Sequence, residues 1–88
     1  MTQGVVADPE QLRALAKKLA SAGQQIDAMR SQVAKAVSAS GWNDGERARF
    51  EQQVSADMRV LNAVAQRLQR DYPGQLNKKA AALDQYRR

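Results

Sequence analysis

Two long runs of apolar residues at spacings of three and four, neither interrupted by proline, flank a short segment of turn-forming residues near the middle of the chain. This pattern leaves few options. A period near 3.6 specifies helix, and two amphipathic helices joined by a short bend must lay their apolar stripes against each other. The first run is Leu12, Leu15, Leu19, Ala22, Ile26, Met29, Val33 and Ala36 or Val37; the second is Phe50, Val54, Met58, Leu61, Ala65, Leu68 and Tyr72. The bend falls in Gly41 to Phe50, GWNDGERARF, which holds the only Trp and the only Phe. Gly41 is suited to the left-handed conformation that ends a helix, and Asn43 reads as the N-cap of the next one, with Glu46 in the capping-box position. Trp42 lies between the stop and the start, where a large ring can fold over both helix ends.

The expected architecture is therefore all-α: an antiparallel two-helix hairpin with a short C-terminal helix or kinked extension, forming one domain over residues 1–88. Asp8, Pro9, Glu10 and Gln11 supply a cap, a first-turn proline, a first-turn acid and a glutamine at N3, so helix 1 is expected over about 9–39 after an irregular lead-in from Met1 to Ala7. Gly23 interrupts the helix propensity at a cost of ~1 kcal/mol without breaking the period. The turn is placed at about 40–43, near Gly41, Trp42, Asn43, Asp44 and Gly45, and helix 2 at about 44–71. Pro73 and Gly74 predict a kink or a stop. Leu76, Ala80, Leu83 and Tyr86 then give a C-terminal helix over about 74–87, with Lys78, Lys79, Arg87 and Arg88 outside its stripe.

Val60 and Val64 widen the apolar face of helix 2 beyond what one neighbouring helix covers. The surplus around Met58, Val60 and Val64 is the candidate partner interface, to be covered by the end of this chain or by a second hairpin in a four-helix bundle dimer.

Composition narrows the function classes. The chain has neither His nor Cys, so the usual general base, thiolate metal sites and disulfides are ruled out. Asp8 with Glu10 and Asp44 with Glu46 sit where caps need them, and the remaining carboxylates scatter over exposed faces, so no catalytic, cofactor or metal residues are assigned and no enzyme is expected. The net charge of +5 raises nucleic acid as a partner, but the basic residues lack interleaved aromatics, helix-turn-helix spacing and a concentrated patch. The first residues show no basic and apolar leader, and no apolar run approaches bilayer length, which predicts a soluble protein without a cleaved signal.

A central Trp turn between two long amphipathic helices resembles the WXG family of small type VII secretion proteins. The family motif is Trp-x-Gly; Trp42, Asn43 and Asp44 give Trp-x-Asp, with the glycine displaced to Gly45 and Phe50 at the downstream apolar position. The resemblance covers roughly Asp8 to Tyr72. It implies a four-helix bundle formed with itself or a paralogous hairpin, with a secretion ATPase or a secreted effector as further partners, and a protein cytoplasmic before export and secreted without a cleaved leader. The family's export signal, Tyr followed four residues later by Asp or Glu, is not matched, since Leu76 stands at that distance from Tyr72. If the chain is exported, a partner is then expected to supply it, or the chain acts as a targeting factor, or the family role has changed. The alternative function is an intracellular helical adaptor or small chaperone, with basic nucleic-acid binding behind both.

Overall fold

The structure, a computed structural model, describes residues 7–86. α1 spans Pro9–Ala39 and α2 spans Glu46–Gln66; α2 passes without a break into a π turn, Arg67–Asp71, and then into α3, Tyr72–Tyr86. Every described helix belongs to one of two arms, and no strand occurs among the described residues. The second arm runs antiparallel to α1, which packs on α2, the π turn and α3 in turn, and the hairpin measures 66 × 19 × 19 Å. The expectations for Met1 to Val6 and for Arg87 and Arg88 lie outside the described residues.

Helix 1 starts as its sequence dictates. The Asp8 carboxylate accepts from the Glu10 N–H at 2.9 Å, Pro9 occupies the position where a missing donor costs nothing, and the Asp8 carbonyl takes the Leu12 N–H at 3.0 Å. It ends where Ser40 donates to the Val37 carbonyl through both its N–H and its hydroxyl, and Gly41 follows at φ +74°, a left-handed conformation that favours glycine.

The second arm departs from expectation at its start and decides between two alternatives at Pro73. Its first helix opens at Glu46, two residues later than read from the sequence, because Asp44 and not Asn43 does the capping: its carboxylate accepts the Glu46 N–H at 2.9 Å from outside the helix. At Pro73 the arm does not stop: of the two alternatives, a separate third helix or helix 2 resumed, the structure has the continuous one, with α3 following the π turn directly. Proline lacks an N–H and its ring collides with the carbonyl four residues back in a regular α-helix. The π turn just ahead widens the backbone, with the Tyr72 N–H reaching back five residues to the Arg67 carbonyl, so the missing donor falls where one bond is already given up.

The packing line is also displaced from the predicted one. Along α1 the residues set against the second arm recur every seven positions: Pro9, Ala16 and Gly23 are buried, and Arg30 and Val37 half-buried. The large residues of the predicted seam lie to one side of this line, leaving Leu15 43%, Met29 52% and Val33 37% exposed. Small residues explain the shift. A Cβ on Gly23 would stand 2.6 Å from Gln69 Cγ, 2.9 Å from the Ala65 carbonyl oxygen and 3.1 Å from Leu68 Cβ, so the backbones meet at Gly23 and Ala65 more closely than any larger pair permits. Among the described residues the buried apolar side chains are Ala16, Ala65, Ala80 and Leu83, and no large side chain is fully enclosed.

Candidate interaction surface

At the bend, Ser40 to Gly45, one short network holds Trp42. Its indole Nε1 donates to Asp44 Oδ1 at 2.7 Å, the same oxygen that caps Glu46, and its backbone N–H donates to Ser40 Oγ at 3.2 Å. Arg47, one turn into α2, donates to the Trp42 carbonyl at 2.7 Å and reaches Glu51 at 3.4 Å. The ring packs on Phe50, centroids 5.2 Å apart and planes tilted by 47°. Trp42 is thus bound to the start of α2 rather than enclosed between both arms, and Trp42, Glu46, Arg49, Phe50 and Gln53 line an open groove at this end of the rod. The Asp of Trp-x-Asp acquires a physical role: one carboxylate oxygen orients the indole and caps the helix. Gly45 adopts φ −66° with no neighbour near its Cα hydrogen, so the bend does not need glycine there.

The ring is only half-buried. Trp42→Ala is expected to cost about 2 kcal/mol, from the aromatic pair, the indole hydrogen bond and partial burial, and not the 3–5 of an enclosed ring. Thermal unfolding followed by circular dichroism checks it; an unchanged midpoint contradicts the stapling role.

Among the described residues two polar links cross between the arms. Arg13 pairs with Asp84 near the open end, and Gln69 in the π turn donates to Asp27 Oδ2 at 2.8 Å, while Arg30 holds the other oxygen of Asp27 at 2.7 Å. The Gln69 and Arg30 hydrogen bonds hold the Asp27 carboxyl below its ordinary value. A depressed carboxyl stabilises the fold above its unfolded pKa and loses that contribution as the pH falls through the folded value. Asp27→Asn is therefore expected to be less stable than the parent at pH 7 in urea unfolding, with the gap closing as the pH falls below the ordinary aspartate range. A gap that stays constant with pH contradicts the link.

The candidate interface residues do not form one patch. Val60 is 63% exposed, the tail of the chain does not cover it, and Val64 is half-buried. Met58 turns towards α1 and lines a shallow groove between the arms with Asp27, Arg30, Ser31, Ala34 and Ser55. The larger apolar surface lies elsewhere, and a rule of position reveals it. Leu15, Ala22 and Met29 each precede a packing-line residue of α1, as Val64 precedes Ala65 and Tyr72 precedes Pro73. In an antiparallel pair, rows displaced in the same sense along each chain emerge on the same side. Both arms therefore turn apolar residues to one side of the hairpin, with Leu15, Met29, Val33, Val60 and Tyr72 among the exposed large residues. The sequence reading credited only α2 with this surplus, having spent the α1 residues on the seam.

Among the described residues no group of three His, Cys, Asp or Glu converges as a metal site, and no helix is long and apolar enough to cross a membrane. The fold and surface define a class, an antiparallel helical hairpin with a one-sided apolar face. No known protein family, characterised protein or solved structure matches the chain.

Proposed function

We propose that this chain works by protein–protein contact, as half of a four-helix bundle whose other half is a second copy, in the role of a WXG-like factor of a type VII-like secretion system. The observation that carries the association is the core itself. A single hairpin encloses no large side chain, yet exposes apolar residues from both arms on one side. Its surface of 6761 Å² exceeds by roughly 1,600 Å² what size scaling gives for a compact 9.7 kDa monomer, ample for the ~800 Å² per partner of a stable interface. A second copy presents the same face, so a two-fold pairing removes the excess from both chains at once.

The secretion role rests on Trp42 at the bend between two long helices, with Asp44 as the motif's third residue. It is exported with, or guides, a partner that carries the tyrosine signal. Intact protein is expected in culture medium, without lysis markers, when the host's type VII-like ATPase is present, and not when that ATPase is deleted. Retention in cells under both conditions overturns the secretion reading and leaves the intracellular adaptor or chaperone.

A further inference from the structure

The second arm changes its helical phase at the π turn. Ahead of it Met58 and Ala65 face α1, seven residues apart, and an unbroken α-helix brings Tyr72 and then Lys79 to the same line. The structure puts Pro73 and Ala80 there instead: Ala80 is fully buried and Pro73 half-buried, whereas Tyr72 is 41% exposed and Lys79 exposed. The register has slipped by one residue, the amount a π turn inserts, so α3 is rotated by about 100° from the course set by α2. α1 shows no such slip, since Pro9, Ala16 and Gly23 keep an unbroken period of seven.

We infer that the π turn decides which side of α3 is offered to the second copy. This rests on the reading that the one-sided apolar face takes that copy. With the slip, Tyr72 and Leu76, with Lys79 beyond them, join Leu15, Met29 and Val60 on that side, and the face extends towards the open end of the rod. Without it, the same side of α3 presents Asp71, Gln75 and Lys78, and the apolar face ends at the π turn. The turn is held in place from across the hairpin, because Gln69 within it donates to Asp27 at 2.8 Å and packs over Gly23. Pro73 complements this hold, as regular α-helix is the conformation it tolerates least.

Inserting one alanine after the exposed Arg70, with the π turn kept, makes Tyr72 the eighth residue after Ala65 and so brings it to the packing line, where a regular helix would have put it in the native chain. Measured by sedimentation equilibrium, the insertion is expected to weaken self-association at least tenfold while helical circular dichroism is retained. A dimeric parent with an equally dimeric insertion variant overturns the inference and leaves the second-copy reading standing. A parent that is monomeric throughout overturns the second-copy reading, and the phase is then read separately by maleimide labelling of Tyr72→Cys. That thiol is expected to react at least tenfold more slowly in the insertion background, where it enters the seam; equal rates overturn the phase assignment. Should the insertion prevent folding, Tyr72→Glu with Leu76→Gln keeps the π turn intact, and undiminished self-association of that variant overturns the inference.

Discussion

Gly23→Val is expected to destabilise the protein by about 3 kcal/mol and to lower the thermal midpoint by more than about 10 °C. Helix propensity alone gives the opposite sign, since any ordinary residue favours helix over glycine by up to ~1 kcal/mol. The crossing decides otherwise. The first added carbon already meets Gln69 Cγ at 2.6 Å and the Ala65 carbonyl oxygen at 2.9 Å. Gln69 can swing aside only by releasing Asp27, and the carbonyl is backbone, which moves only if the arms part. Gly23→Ala tests the sign most cleanly: a loss of about 1 kcal/mol is expected where an exposed helix site would gain about as much. A stabilised Gly23→Ala variant would show that the arms do not approach as closely as described.

Met29→Asp combined with Val60→Asp is expected to leave the hairpin folded and to weaken dimerisation by at least about a hundredfold, a cost in keeping with burying unpaired charge at an interface. These positions are 52% and 63% exposed, so carboxylates there remain in water as long as the hairpin is alone. Only a partner seated on the face removes that water. Circular dichroism reports the first half and light scattering the second; an unweakened dimer would place the interface on a different side of the rod.

Much of the architecture is legible in the residues themselves. The three-four spacing, the Asp8 and Pro9 start and the left-handed Gly41 are local signals, and local chemistry is sufficient to produce them. Three features escape such reading because each depends on the other arm. Gly23 is a propensity defect in isolation and the point of closest approach in the folded hairpin. Its effect propagates, since helices that meet on glycine and alanine leave their large apolar residues to one side, and periodicity cannot tell the middle of a stripe from its edge. At Pro73, proline followed by glycine argues for a break, but the π turn and the Gln69 to Asp27 hydrogen bond carry the helix through. The Trp42 bend was visible as a bend; that Asp44 serves the indole and the helix end together needed side-chain geometry.

The central claim is that one hairpin is structurally incomplete and a second copy completes it, so the most direct measurement is the mass in solution across a dilution series. Sedimentation equilibrium from about millimolar to low micromolar is expected to give twice the 9.7 kDa chain mass at the upper end, with thermal stability falling as the dimer dissociates. A constant single-chain mass, with a sharp unfolding transition independent of concentration, would contradict it.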